Sequence, residues 1–230
     1  GLHSLQHRGQ EAAGIVSHGD GGFFAHKSLG HVADNFNTKP VIEALPGNSA
    51  IGHVRYSTSG GAGLRNVQPL FADLATGGFA VAHNGNITNA LTLKKYLVDK
   101  GAIFQSTSDS EVVIHLIATS TYPNLMDKFI DAMRRIEWAF AFVALAEDCL
   151  IGARDPLGVR PLVIGQLPND AYILASETCA LDIIGAEYIR DVEPGEVVSI
   201  NKKGLTSVKP FPTLSPRPCI FEHVYFSRPD

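Results

Sequence analysis

The sequence lacks the features that mark membrane and secreted proteins. None of its apolar runs is long enough to cross a bilayer, and its first residues do not resemble a signal peptide. Its three cysteines, Cys149, Cys179 and Cys219, are odd in number and widely spaced, which argues against a disulfide framework. These absences predict a protein of the reducing cytoplasm with no membrane partner.

An excess of basic charge is also missing. The chain carries 19 Lys and Arg against 23 Asp and Glu, with a formal net charge of −4 and a pI near 6.1. It therefore has no general positive field for nucleic acid, and we predict no nucleic-acid partner. Internal repeats and low-complexity blocks are absent too. Hydrophobic residues make up 45% of the 230 residues, enough for a substantial core.

The hydrophobic pattern predicts strands, then helices, then strands again. Alternating apolar residues indicate strands, and apolar residues at helical spacing indicate helices. The predicted strands cover 12–17, 22–27, 49–56, 78–83, 139–146, 150–154, 162–165, 172–175 and 196–200, and the predicted helices cover 88–100, 108–117, 125–136 and 178–184. Ser108 with Glu111 has the form of a capping box. This order, without regular βαβ alternation, predicts an α+β fold of layered antiparallel sheets.

The predicted strand 49–56 contains an arginine near its end and is followed by a turn rich in hydroxyl residues and glycine. Arg55 is a candidate for capturing a carboxylate, because guanidinium binds carboxylates bidentately. For a lone arginine, however, a solvated charge at a sheet edge is the simpler interpretation.

Two further stretches complete a candidate site. Asp109 could bind an ammonium group, and the Asn84 side chain with the Gly85 backbone N–H could stabilise an oxyanion. Each has a simpler alternative. Asp109 could only place negative charge in the first turn of a helix, which stabilises the helix by roughly 0.3–1 kcal/mol. Asn84 and Gly85 could form a plain Asn-Gly turn. Together with Arg55, they favour a site for a small zwitterionic substrate.

Four motifs carry a resemblance to a known family. They are LQHRGQEAAG (5–14), HVRYST (53–58), AHNGN (82–86) and SDSE (108–111), and later stretches at 154–162, 175–177, 190–196 and 225–230 agree with them. Nearly the whole chain resembles the glutaminase domain of amidophosphoribosyltransferases. The resemblance implies the αββα sandwich of N-terminal-nucleophile hydrolases, with two antiparallel sheets between helical layers. The domain would cover 1–208, and 209–230 would lead into a phosphoribosyltransferase domain that is absent here.

The implied function is hydrolysis of glutamine to supply ammonia. In such enzymes the ammonia reacts with phosphoribosyl pyrophosphate to give phosphoribosylamine, the first committed step of purine synthesis. The partners implied are glutamine and, through the absent domain, phosphoribosyl pyrophosphate, with a homo-oligomer when full length.

The resemblance also assigns site residues. Arg55 would bind the α-carboxylate of glutamine and Asp109 its α-ammonium, while Asn84 and Gly85 would hold the oxyanion. The residues expected to line or close the pocket are Arg8, Tyr56, Thr58 and Ser108.

The chain departs from the family at its nucleophile. The family uses an N-terminal cysteine, with its α-amino group as the base, whereas residue 1 is Gly. We expect a fragment that lacks those residues and is inactive as it stands, rather than a genuine pseudo-glutaminase. The alternative function is a non-catalytic, glutamine-binding regulatory domain. Trp138 also stands where the family usually has Gly, which predicts different local packing.

No cofactor is expected in this domain. The full-length family enzyme is expected to use Mg²⁺, and some members hold a 4Fe–4S cluster with a cysteine at the place of Cys219. For Cys219 the alternatives are an iron ligand and a buried, inert thiol. Cys149 and Cys179 have apolar neighbours and are predicted to belong to the core.

Overall fold

The computed structural model describes residues 1–56, 63–137, 139–212, 214–222 and 224. The strands are β1 (Ala12–Gly19), β2 (Gly22–Leu29), β3 (Ser49–Arg55), β4 (Leu70–Leu74), β5 (Gly77–Gly85), β6 (Phe140–Ala146), β7 (Cys149–Arg154), β8 (Val163–Gln166), β9 (Tyr172–Ala175), β10 (Glu187–Asp191), β11 (Val197–Asn201) and β12 (Gly204–Val208). The helices are α1 (Val32–Asn35), α2 (Lys39–Glu43), α3 (Ala90–Asp99), α4 (Glu111–Thr119), α5 (Leu125–Arg135) and α6 (Cys179–Asp182), with 3₁₀ turns at Gln6–Arg8 and Leu64–Asn66. Across these residues, no helix has the length and apolar character needed to span a membrane.

The strands form three antiparallel sheets. A six-stranded sheet has the order β12-β11-β7-β6-β5-β4, and two three-stranded sheets have the orders β2-β1-β3 and β10-β8-β9. The first pair of strands is the predicted hairpin, with Gly19 opposite Gly22 at its turn. Because β3 pairs with β1 along its whole length, Arg55 reaches the end of the sheet opposite Ala12.

Helices α3, α4 and α5 cover one face of the six-stranded sheet. Their core includes the fully buried Phe129 of α5, which packs against Phe79 of β5 with ring centroids 6.5 Å apart. Helix α5 begins where the Asn124 side chain accepts a hydrogen bond from the Asp127 N–H. Burial of the apolar side chains between these helices and this face of the sheet stabilises the packing of the two layers.

The other face of the six-stranded sheet packs against both small sheets. Val16 and Ile51 of the β2-β1-β3 sheet contact Ala80 and Ala82 of β5. A second cluster joins Ile164 of β8 to residues of β6 and β11. The alanines let the sheets approach closely, since packed sheets interdigitate their side chains.

Short helices cover the outer side of the small sheets. Val32 of α1 and Phe36 pack against β1 and β3, and Leu181 of α6 packs against β8. The order of layers is therefore helix, sheet, sheet, helix, which confirms the expected αββα sandwich. Its second sheet layer is divided into two three-stranded sheets.

The capping box predicted at residues 108–111 is wrong. Helix α4 begins at Glu111, and its N-cap, Ser110, makes no side-chain capping bond. The Glu111 carboxylate instead accepts hydrogen bonds from the N–H groups of Gln105 and Ser106, each at 2.7 Å. It accepts them because the preceding loop folds back over the helix start, so Glu111 fixes the loop that carries Asp109.

Several elements were not predicted. Strands β4, β10 and β12 and helices α1 and α2 have only four or five residues each, which leaves little pattern to interpret, although β8, β9 and α6 are as short and were predicted. The packing expected to change at Trp138 concerns a residue outside the described part of the chain.

Candidate active site

Strands β3 and β5 end side by side, although they belong to different sheets. The two are joined by a hydrogen bond of 3.2 Å from His53 Nε2 to the His83 carbonyl oxygen. A cavity of about 140 Å³ opens at this end of both strands. The cavity therefore lies where the Arg55 strand and the Asn84 strand meet.

The cavity brings together most of the predicted site. The predicted site residues that line it are Arg8, Arg55, Tyr56, Asn84, Gly85, Ser108 and Asp109. Thr58 is outside the described residues. Cys219 lines a different cavity.

Arg55 supplies a buried positive charge in the wall. It is 6% exposed, although it ends a strand, so the interpretation as a solvated sheet-edge charge is wrong. The half-exposed Glu11 forms a long ion pair with it, with 3.9 Å between Arg55 Nη1 and Glu11 Oε2. Glu11 was not predicted to belong to the site.

Asp109 supplies an oriented carboxylate. Its Oδ2 accepts a hydrogen bond of 2.9 Å from the Ile87 N–H, and its Oδ1 accepts one of 3.2 Å from the Ser110 hydroxyl. Both donors are uncharged, so they fix the carboxylate without cancelling its charge. The arrangement suits a cationic partner in the cavity.

Asn84 supplies a hydrogen-bond donor that is not used. Its Nδ2 is buried and has no hydrogen-bond partner among the described residues. Leaving such a donor unpaired costs roughly 1–3 kcal/mol. Asn84 lines the cavity, and an unpaired donor held beside a substrate is what stabilisation of an oxyanion requires.

Gly85 is required by its surroundings. Its φ of +147° is rarely adopted by other residues, and an added Cβ would lie 2.2 Å from the Ala139 carbonyl oxygen and 2.7 Å from His83 Nε2. The backbone after Asn84 therefore passes through a gap that admits only glycine.

Two histidines that line the cavity are neutral at physiological pH. Burial lowers the pKa of His53 to about 4, helped by the nearby His83. Burial also lowers the pKa of His83 to about 4, against the opposing effect of Asp109. With both imidazoles neutral, the positive charge along the cavity comes from the arginines that line it, Arg8, Arg55 and Arg160.

Arg8 is held by two carboxylates that sequence reasoning did not assign to the site. Its Nη1 donates to Glu177, and its Nη2 donates to Glu222 Oε2 at 2.7 Å. Glu222 also accepts from Arg160 at 2.7 Å, and His7 lies 3.0 Å from Glu177. Paired with these two carboxylates, Arg8 is held in place as part of the cavity wall.

Cys219 lies in a second cavity of about 350 Å³, beside Arg160 and Arg217. One thiol would provide one ligand of an iron–sulfur cluster. The described part of the chain contains no group of three or more His, Cys, Asp or Glu side chains that could hold a metal ion. These residues therefore supply at most one corner of a cluster.

The sequence matches the family profile described as a glutamine amidotransferase domain over residues 53–182, more than half of the chain. The chain belongs to the glutamine amidotransferase domain family. The match begins at His53 and includes Arg55, Asn84, Gly85 and Asp109, the residues around the cavity.

This glutamine amidotransferase domain is similar over its whole length to amidophosphoribosyltransferases, as its motifs predict. That of Rhizobium etli is 53% identical, and the alignment covers 100% of this chain and 47% of the relative. That of Bacillus subtilis is 47% identical, with coverage of 100% and 48%. The chain thus spans about half the length of these relatives.

Solved structures agree with the fold. Glutamine phosphoribosylpyrophosphate amidotransferase of B. subtilis, complexed with ADP and GMP, matches with a TM-score of 0.93 at 46% identity, over 100% of this chain and 49% of that one. A glutamine aminotransferase class-II domain protein from Silicibacter pomeroyi matches with a TM-score of 0.60 at 13% identity, over 87% of this chain and 92% of that one. At that identity the second likeness supports the fold alone.

Proposed function

We propose that this domain is the glutaminase part of an amidophosphoribosyltransferase. One observation carries the proposal: the unpaired Asn84 donor shares a cavity with a buried cation, Arg55, and an oriented anion, Asp109. A free amino acid with a side-chain amide offers a complementary partner to each of these groups.

In the proposed complex, Arg55 binds the α-carboxylate of glutamine and Asp109 binds its α-ammonium. These two contacts direct the side-chain amide toward Asn84 and Gly85. Tyr56, Ser108 and Arg8 border the bound molecule. Charge-assisted contacts of this kind are short and directional, so they select the amino acid end of the substrate.

Hydrolysis in this proposal begins when a thiolate attacks the amide carbon. The carbonyl oxygen becomes an oxyanion, to which Asn84 Nδ2 and the Gly85 N–H donate. Ammonia then leaves, and water releases glutamate from the thioester. Because burial raises the pKa of Cys149 to about 11, and no cysteine lines the cavity, the proposal assigns the nucleophile to a cysteine outside these 230 residues.

The second candidate is a non-catalytic domain that binds glutamine through Arg55 and Asp109. The observation favouring it is that no thiol lines the cavity among the described residues. It predicts glutamine binding without turnover in the natural protein.

The wider role belongs to the same proposal. We place residues 209–230 between this domain and a phosphoribosyltransferase domain that uses phosphoribosyl pyrophosphate, with purine synthesis as the pathway. The similarity to amidophosphoribosyltransferases along the whole chain supports this placement. Any iron–sulfur cluster or Mg²⁺ of the full-length enzyme belongs to this wider proposal.

Glutaminase kinetics of the natural full-length protein test the proposal, together with its N-terminal sequence. Arg55→Ala should mainly raise the KM for glutamine, whereas Asn84→Ala should lower kcat on the order of 10²-fold. The exposed Arg134→Ala and Asn48→Ala serve as matched controls that should leave both parameters unchanged.

Two results would count against the proposed roles. Equal changes in KM and kcat for both site variants would contradict the division between binding and oxyanion stabilisation. Glutamine binding without turnover, unaffected by alkylation of an N-terminal thiol, would favour the non-catalytic candidate.

A further inference from the structure

Ser110 is fully buried at the start of α4, and its hydroxyl contacts three side chains. Gln68 Nε2 lies 3.2 Å away, His83 Nδ1 3.1 Å and Asp109 Oδ1 3.2 Å. A hydroxyl has one proton to donate and two lone pairs with which to accept. Three neighbours therefore use its full capacity.

The direction of each bond follows from the chemistry of the neighbours. The Gln68 amide nitrogen can only donate, and the Asp109 carboxylate can only accept. Ser110 therefore accepts from Gln68 and donates to Asp109, so its remaining lone pair faces His83. This arrangement requires His83 to donate from Nδ1, whereas a proton on Nε2 would face the Ala139 carbonyl, so the tautomer of His83 distinguishes the two.

The ring of His83 is fixed in its plane. It stacks on the buried Phe142, with centroids 4.3 Å apart and 13° between the planes. The imidazole therefore cannot turn away from Ser110 without losing this packing.

Gln68 connects the same network to the backbone of β5. Its Oε1 accepts a hydrogen bond of 2.7 Å from the His83 N–H, while its Nε2 donates to Ser110. His83 directly precedes Asn84. One 7%-exposed side chain thus joins the strand that presents Asn84 to the loop that presents Asp109.

We propose that Ser110 and Gln68 are positioning residues for the reaction: Ser110 aims the Asp109 carboxylate at the substrate ammonium, and Gln68 holds the Asn84 strand at a fixed distance from it. This inference rests on the proposed function of the cavity. Ser110 does not line the cavity, and Gln68, which does, uses both ends of its amide within the network, so each is proposed to act through its neighbours.

The chain offers a second buried serine as a control, one that makes a single hydrogen bond. Ser17 is 3% exposed, and its hydroxyl donates to the Pro46 carbonyl oxygen at 2.9 Å. It does not line the cavity. Ser17→Ala should lower thermal stability without raising the KM for glutamine.

The test compares two substrates in the full-length protein: glutamine, and 4-carbamoylbutanoate, which is glutamine without its α-amino group. Ser110→Ala should raise the KM for glutamine about 10-fold, the loss of one hydrogen bond to a charged group, and leave the KM for the analogue unchanged. Ser110→Thr, which keeps the hydroxyl, should restore the KM for glutamine. Gln68→Met should lower kcat about 10-fold for both substrates with little effect on KM.

A rise in KM of the same size for both substrates would overturn the inference, as would identical behaviour of Ser17→Ala and Ser110→Ala. The ¹⁵N chemical shifts of His83 decide the network even if Ser110→Ala fails to fold. An Nδ1–H tautomer in the unmutated protein supports the inference, and an Nε2–H tautomer overturns it. If the unmutated protein neither binds nor hydrolyses glutamine, the proposed function fails, and the tautomer still decides whether the network exists.

Discussion

Asp155 carries a stability prediction that can be worked out from its contacts. It follows β7 and has no exposed surface. Its carboxylate accepts hydrogen bonds from four backbone N–H groups: Leu157 at 2.9 Å, Val159 at 3.1 Å, Phe140 at 3.3 Å and Arg160 at 3.4 Å. Asp155→Ala would leave these four donors without their acceptor.

The size of the loss follows from the cost of unpaired donors. A hydrogen bond to an ionised group is worth roughly 1.5–3 kcal/mol, but water reaching the truncated site recovers part of this. We expect Asp155→Ala to reduce the unfolding free energy by about 3–5 kcal/mol, which is less than the sum for four such bonds. For a chain of this length, that corresponds to a fall in Tm of about 6–20 °C.

Urea unfolding followed by circular dichroism measures this difference. The exposed Asp73→Ala is the control and should change the unfolding free energy by no more than about 0.5 kcal/mol. Asp155→Asn keeps one acceptor oxygen but points its NH₂ group at a backbone donor. Its loss of unfolding free energy should therefore lie between those of Asp73→Ala and Asp155→Ala. A loss below about 1 kcal/mol for Asp155→Ala would refute the reasoning.

Two further predictions concern the cavity wall. Between pH 6.5 and about 4, the unfolded chain binds protons that the buried His53 and His83 of the folded protein do not. The unfolding free energy should therefore decrease as the pH is lowered, by up to about 1.4 kcal/mol per pH unit for each histidine. Urea titrations at pH 7, 6 and 5 measure this dependence, and an equal slope in His53→Gln would contradict it. Gly85→Ala should cost at least about 2 kcal/mol through backbone strain and overlap with the Ala139 carbonyl, whereas Gly63→Ala, with no described atom within 4 Å of its new Cβ, should cost little in the same assay.

The fold class could be predicted because the long elements have clear periods. Helix α5 buries one apolar face, whereas strand β6 is an unbroken apolar run buried on both faces, and both lie close to their predicted ranges. Short β10 shows no such pattern, because its residues are mostly exposed and only its pairing with β8 defines it. Sequence periodicity therefore located the layers but missed their edges.

The candidate site could be predicted only where local motifs carry it. Asn84 and Gly85 are neighbours in the chain, so their joint role was visible from sequence. The pairing of Arg8 with Glu177 and Glu222 joins residues 169 and 214 positions apart, which only the folded chain reveals. Gln68 belongs to none of the motifs, so no local signal pointed to its bonds with His83 and Ser110.

The alanines between the sheets have a consequence for selectivity. Ala80 and Ala82 keep β5 close to Val16 and Ile51, and so set the separation between the ends of β3 and β5. Those ends carry Arg55 and Asn84, the two groups proposed to bind opposite ends of one substrate. The alanine methyl groups do not line the cavity, yet they set the distance between these two groups. We therefore expect a larger residue at position 82 to shift the preference toward a longer amide without altering any residue of the cavity wall.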